Sequence, residues 1–134
     1  MSDHLEFRGV SKRFGAIQAV DDVSLEIRKG EFFSLLGPSG CGKTTMLRLA
    51  AGFERPDQGR VFLDGQDITD LPPNRRRVNT IFQSYALFPH MTVRDNIAFG
   101  PAIAKRPPAE AERDVAAMLK LIQMEDQAGK KPDQ

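Results

Sequence analysis

Gly37-Pro38-Ser39-Gly40-Cys41-Gly42-Lys43-Thr44 sets glycines, a lysine and a hydroxyl at the spacing G-x-x-x-x-G-K-[ST]. That spacing lets successive backbone N–H groups turn inward around a phosphate. The glycines accept backbone angles that a Cβ forbids. A helix starting near Gly42 aims its unpaired N–H groups and positive dipole end at the anion. Lys43 then serves as a point charge for the β- and γ-phosphates of a nucleotide, the Thr44 hydroxyl would hold Mg²⁺, and Thr45 lies close enough to bond a nearer phosphate. Cys41 reads as a small residue that fits the loop rather than a redox centre, because the sequence has no second cysteine to pair with it.

The elements around this loop are those it needs. Phe32-Phe33-Ser34-Leu35-Leu36 is nearly continuously apolar and ends at Gly37, which predicts a parallel strand covered on both faces. After the loop, Met46 to Ala51 are helix formers that stop at Gly52, a C-cap. Leu5 to Arg8 and Val23 to Ile27 alternate apolar and polar, as half-buried strands of an antiparallel sheet do. Arg60 to Ile68 reads as a strand with a tight Asp64-Gly65 turn returning to that sheet.

Val78 to Phe82 predicts another buried strand. Thr92-Val93-Arg94-Asp95 resembles a capping box opening a short helix that ends near Gly100-Pro101. Past Pro107-Pro108, Val115, Met118, Leu119 and Ile122 recur at helical spacing, so a helix with one apolar stripe runs to about Gln123. The tail from Gln127 to Gln134 is polar and is expected to lack a closing element, as if the domain were cut there.

With 134 residues and 40% apolar content, one compact core is expected, and a net charge of +1 points away from nucleic acid as a partner. Arg75-Arg76-Arg77 is the densest basic run and reads as a solvated face. A single cysteine suits a reducing, cytoplasmic setting. No stretch reaches the roughly 18 apolar residues of a membrane span, so a membrane role has to come through a partner. A phosphate loop alone is compatible with kinases, GTPases or motors.

Three longer stretches narrow the choice. Gly37 to Thr45 closely resembles the wording of this loop in ABC transporter ATPases. Phe82-Gln83-Ser84-Tyr85-Ala86-Leu87-Phe88-Pro89-His90-Met91-Thr92-Val93 is similar to that family's Q-loop and the segment after it. Taken from Asn79, and together with Leu63-Asp64-Gly65-Gln66-Asp67-Ile68-Thr69, this stretch is most similar to ATPase subunits of spermidine/putrescine importers, with iron and sugar importers sharing part of it. The resemblance covers nearly all of the chain and roughly the first half of a complete nucleotide-binding domain.

The resemblance implies an α/β fold: a partial P-loop NTPase core, parallel sheet with helices, plus a small antiparallel β subdomain, truncated before the signature motif. Antiparallel elements would occupy about 4–30 and 60–69, the P-loop core about 31–53 and 78–83, and the Q-loop and helical part about 84–134. It implies ATP and Mg²⁺ as cofactors, with Gln83 reaching the Mg²⁺ and the attacking water alongside catalytic Lys43, and with Phe14 stacking on adenine. Read without the resemblance, Gln83 is a strand-end amide bonded to backbone and Phe14 an ordinary core phenylalanine.

Permease subunits would dock near Tyr85, Leu87, Phe88 and Met91, holding the protein on the inner face of the membrane. Plain packing beneath the loop is the alternative for these four. A second ATPase subunit would complete the nucleotide site. Where relatives continue into Leu-Ser-Gly-Gly-Gln, this sequence stops, and it contains no apolar strand ending in Asp-Glu and no counterpart of the switch histidine. Asp64, Asp67 and Asp70 read as solvated turn residues. Two further readings remain at this level: an unrelated P-loop kinase, and a nucleotide-binding or interaction module without turnover.

Overall fold

The computed structural model describes residues 3–38, 42–82, 84 and 86–134. The chain divides into two compact units, Met1–Thr80 and Ile81–Gln134.

The first unit is built on an antiparallel sheet. Strands β1 (Asp3–Phe14) and β2 (Ile17–Arg28) form a long hairpin, followed by helix α1 (Lys43–Ala51), β3 (Gln58–Leu63) and the two-residue β4 (Gln66–Asp67). The sheet order is β2-β1-β3-β4. Both long strands exceed the alternating segments that announce them, and β-bulges between Asp3 and Arg13 let the hairpin follow a bend while keeping its apolar face inward. Asp64 and Gly65 take φ of 49° and 79°, the tight turn expected of an Asp-Gly pair between β3 and β4.

Helix α1 lays Met46, Leu49 and Ala50 on the sheet face formed by Phe7, Val10, Val20, Val61 and Leu63, with Ile68 closing the cluster. Leu49, Val10 and Val61 are fully buried, each worth about 2 kcal/mol of apolar transfer. The helix ends as the sequence predicts: Gly52 sits at φ 91° and donates to the Arg48 carbonyl.

Two expected strands do not form. Residues 31–37 and 78–82 lie outside any strand, and Phe32, Leu36 and Ile81 are 94%, 93% and 90% exposed. Only Leu35 and Val78 of these runs pack against the core. A parallel strand draws its hydrogen bonds from neighbours on either side, and among the described residues neither run has such a neighbour. The four strands observed make one antiparallel sheet rather than two kinds of sheet.

Arg75-Arg76-Arg77 also differs from its reading as a solvated face. Arg75 and Arg77 are exposed, whereas Arg76 is 7% exposed. Its guanidinium donates to the carbonyls of Leu49 (2.8 Å), Ala50 (3.2 Å), Thr69 (3.1 Å) and Leu71 (2.9 Å). Two of these are end-of-helix carbonyls that α1 cannot satisfy itself. Burial draws the Arg76 pKa down while Asp70 pulls it back up, and a guanidinium so bonded stays charged at neutral pH. A Cβ on Gly52 would run into this guanidinium, so the glycine serves both the left-handed turn and the approach of Arg76.

The second unit is helical: α2 (Val93–Ile103), α3 (Pro108–Leu121) and a 3₁₀ turn at Glu125–Gln127. The Thr92 hydroxyl accepts from the Asp95 N–H at 3.1 Å, the cap that the sequence announces. Helix α2 runs on past Pro101 instead of stopping there. Proline removes one N–H, but the final turn still closes through Ala104 N–H to the Gly100 carbonyl (3.0 Å). On α3 only Val115 and Leu119 of the apolar stripe are buried, while Met118 and Ile122 remain partly exposed.

The polar tail has a structural task. The carbonyls of Lys130 and Ala128 accept from Val93 N–H (2.8 Å) and Arg94 N–H (3.0 Å), donors that the first turn of α2 leaves unpaired. Among the described residues, no helix is long and apolar enough to cross a membrane.

Candidate functional site

Gly42 takes φ 91° and ψ 1° at the head of α1 and, as a glycine, offers that helix end no side-chain cap of its own. A Cβ at Gly42 would collide with the Ala19 carbonyl of β2, so glycine is what lets the loop press against the strand. Lys43 Nζ donates to the Gly37 carbonyl oxygen, which folds the ammonium back across the loop it closes. Thr44 is exposed and Thr45 half-buried. Pro38 is exposed, and Ser39, Gly40 and Cys41 lie outside the described residues.

The contact with Ala19 also fixes where the hairpin tip lies. Ile17 is two residues from Ala19 along β2, about 7 Å at strand rise, and Ile17 is the register partner of Phe14. The tip carrying Phe14 therefore stands beside the loop that starts α1. Phe14 is 42% exposed, a presented aromatic rather than a core one, with Lys12 Nζ 5.3 Å from its ring centroid. A cavity of about 380 Å³ with mostly apolar lining lies between the sheet and α1, with Lys43 and Thr44 among the residues around it.

The acidic turn residues have partners of their own. Asp64 faces His4 Nδ1 at 2.7 Å, and that hydrogen bond holds its carboxyl below the usual range. Asp67 accepts from the Thr69 N–H at 3.0 Å and pairs with Arg60, and the bonds to Thr69 lower its pKa in the same direction. Asp70 pairs with Arg55 and Arg60. All three are exposed, Asp64 and Asp70 in turns and Asp67 in β4, so these contacts staple the β3–β4 region from its surface. Among the described residues no group of three or more His, Cys, Asp or Glu is placed to hold a metal.

In the second unit, Gln83 and Tyr85 lie outside the described residues. Leu87 is 58% exposed, while Phe88 and Met91 are half-buried. Phe88 packs on Phe99 with ring centroids 4.6 Å apart. The loop is organised by Asn96, which sequence reading passes over: its amide donates to the Phe88, Met91 and Thr92 carbonyls and its oxygen accepts from the Phe88 N–H at 2.8 Å. A polar residue one turn into a helix, after a loop holding Pro89, was the available signal.

Comparison with known families decides the affiliation. The profile described as ABC transporter matches residues 20–134. The chain belongs to the ABC transporter family. It is 62% identical, over all 134 residues, to 36% of the protein named spermidine/putrescine import ATP-binding protein PotA in Protochlamydia amoebophila. A protein of the same name in Mesorhizobium japonicum is 58% identical, with 97% of this chain and 37% of that protein aligned. The one in Thermobifida fusca is 61% identical over 87% of this chain and 30% of that protein.

The chain thus spans about a third of the length of these curated relatives. Among solved structures, it is similar to the ATP-binding cassette MJ0796 described as a dimeric post-hydrolysis state bound to ADP and Pi. That match has a TM-score of 0.81 and 31% identity, and it covers 97% of this chain and 62% of that one. A dimeric form of the same bacterial ABC transporter cassette matches with a TM-score of 0.81 and 30% identity, over 96% and 62% of the two chains. The architecture accordingly is the α/β one of an ABC cassette, represented here by its antiparallel sheet and helix α1.

Proposed function

We propose that this ABC family chain binds Mg-ATP through the loop that Lys43 closes onto Gly37, as the nucleotide-binding part of an importer ATPase that moves polyamines. The observation that carries the reading is a left-handed glycine, which brings no side-chain cap of its own, at the head of a helix whose first residue, Lys43, reaches back to the Gly37 carbonyl. Its donors suit a polyphosphate: a lysine, backbone N–H groups and the exposed Thr44 hydroxyl. Mg²⁺ suits the same place, because it is commonly held by one or two protein oxygens with phosphates and water supplying the rest. Mg-ATP, when bound, supplies the transferable phosphoryl group.

The chain's own residues bind and orient. Lys43 would neutralise the β- and γ-phosphates, Thr44 would ligate Mg²⁺, and Gly37, Pro38, Ser39, Gly40, Cys41, Gly42 and Thr45 would supply loop contacts. Phe14 would stack on adenine, and Gln83 would reach Mg²⁺ and water. Residues 4–30 and 60–69, 31–53 and 78–83, and 84–134 would be the antiparallel, P-loop and helical parts of one nucleotide-binding domain.

The names of the relatives support polyamine import, and the dimeric cassettes support a second ATPase subunit across the nucleotide. Permease subunits would dock near Tyr85 and the exposed Leu87, with Phe88 and Met91 shaping the loop from beneath, so that the protein sits on the inner face of the membrane. Titration calorimetry with Mg-ATP tests the core of this. Lys43→Ala is expected to weaken binding about 10- to 100-fold, the value of a charge-assisted hydrogen bond to phosphate. Equal affinity in the two proteins would overturn the reading.

Self-association is expected as well. Phe32 and Leu36 are almost wholly exposed in a segment with strand-forming composition, and such a segment is a template for pairing with another chain. Sedimentation velocity should show concentration-dependent species. A single monomer at high concentration would count against it.

A further inference from the structure

The hairpin tip that presents Phe14 is held by two residues that nothing so far assigns to the site. Arg13 spans the turn from within: Nη1 donates to Gln18 Oε1 at 2.7 Å and Nη2 to the Ala16 carbonyl at 3.1 Å. Gln18 in turn donates to the Val20 carbonyl at 2.7 Å, so the guanidinium bridges both strands of the tip. Asp57, in the segment between α1 and β3, holds the tip from outside. Its Oδ2 accepts from the Arg13 N–H at 2.7 Å, its Oδ1 lies 3.5 Å from Lys12 Nζ, and its own N–H donates to the Ser11 carbonyl at 2.8 Å. The Lys12 ammonium it steadies is the one facing the Phe14 ring.

A two-residue turn at the end of a free hairpin would otherwise sample many orientations. An aromatic ring held in place stacks on a planar ligand without that ordering cost. The site then separates into two parts with different partners: the loop at Gly42 to Thr44 for phosphates, and a braced aromatic tip for the base.

From this geometry we infer that Arg13 and Asp57 are positioning residues for the base half of the nucleotide. They set affinity for the purine and leave affinity for the phosphates unchanged. The inference rests on the nucleotide reading above.

Its test uses the full chain and two titrants, Mg-ATP and Mg-tripolyphosphate, which shares the phosphates and lacks the base. Asp57→Ala and Arg13→Gln are each expected to weaken Mg-ATP about three- to tenfold while shifting tripolyphosphate by less than about twofold, since only the stacking geometry is loosened. Asp57→Asn, which keeps an acceptor for the Arg13 N–H, should lose less than Asp57→Ala. In the Phe14→Ala background the Asp57→Ala change should add nothing further for Mg-ATP, because coupled residues are non-additive.

Equal losses for both titrants, or fully additive losses with Phe14→Ala, would overturn the inference and leave the nucleotide reading standing. Failure of the unaltered chain to bind tripolyphosphate or Mg-ATP would remove the nucleotide reading and this inference with it. Circular dichroism on each variant separates a misfolded protein from a mispositioned ring, and a variant that unfolds is replaced by Arg13→Lys, whose single ammonium cannot bridge the turn.

Discussion

Purified and supplied with Mg-ATP, the 134-residue chain is expected to release no phosphate above background. The same chain continued with the downstream portion that its longer relatives carry should turn over. Phosphoryl transfer to water needs more than a cradle for the phosphates. A carboxylate must orient or accept from the attacking water and a second acid must hold Mg²⁺, and such groups each contribute about 10²–10⁴-fold in rate.

The sequence contains no apolar strand ending in an Asp-Glu pair. The acids closest in type, Asp64, Asp67 and Asp70, are committed to His4, Thr69 and the arginines Arg55 and Arg60. The partner signature that would close over the γ-phosphate, by the family resemblance, is likewise outside this sequence, so a dimer of the chain should stay inactive too. The measurement is phosphate release by both forms, each beside its Lys43→Ala variant. Turnover by the short form that Lys43→Ala abolishes would overturn the expectation.

The second large effect concerns Arg76. Replacing it with Met removes the donors of four carbonyls at once, two of them at the end of α1. Hydrogen bonds from a charged group are worth about 1.5–3 kcal/mol each, and the methionine recovers part of the loss by burying apolar stem. A net fall of about 2–4 kcal/mol in unfolding free energy is expected. Arg76→Lys should fall between, since one ammonium cannot reach all four oxygens that the planar fork reaches.

Urea denaturation followed by circular dichroism reads this directly, as a lowered midpoint with unchanged slope. Arg75→Met and Arg77→Met, at exposed positions, should move stability by less than about 0.5 kcal/mol. An Arg76 variant as mild as those two would show that the network contributes nothing net.

How much of this was legible beforehand follows from the range of the interactions involved. The left-handed Gly42 at the start of α1, the Gly52 stop of that helix, the Asp64-Gly65 turn and the Thr92 cap are set by backbone angles and hydrogen bonds within a few residues, so residue type and spacing suffice to place them. The alternation of Leu5 to Arg8 and Val23 to Ile27 likewise carries its own face assignment.

Tertiary structure decided the rest. The apolar runs at 32–36 and 78–82 read as strands because composition reports what a segment prefers to bury, while a parallel strand exists only if neighbours supply its hydrogen bonds. Arg76 is chemically identical to Arg75 and Arg77, and only the approach of the end of α1 to Thr69 and Leu71 selects the middle one for burial. Asn96 and the tail carbonyls of Ala128 and Lys130 owe their roles to which loop end and which helix start the fold brings to them. Residue types and spacing pointed to a loop suited to a phosphate, and only the family resemblance pointed to Phe14 as an aromatic suited to a base. The close packing of Gly42 against Ala19 is what set the two side by side, because the distance between them runs through a strand contact that no local pattern encodes.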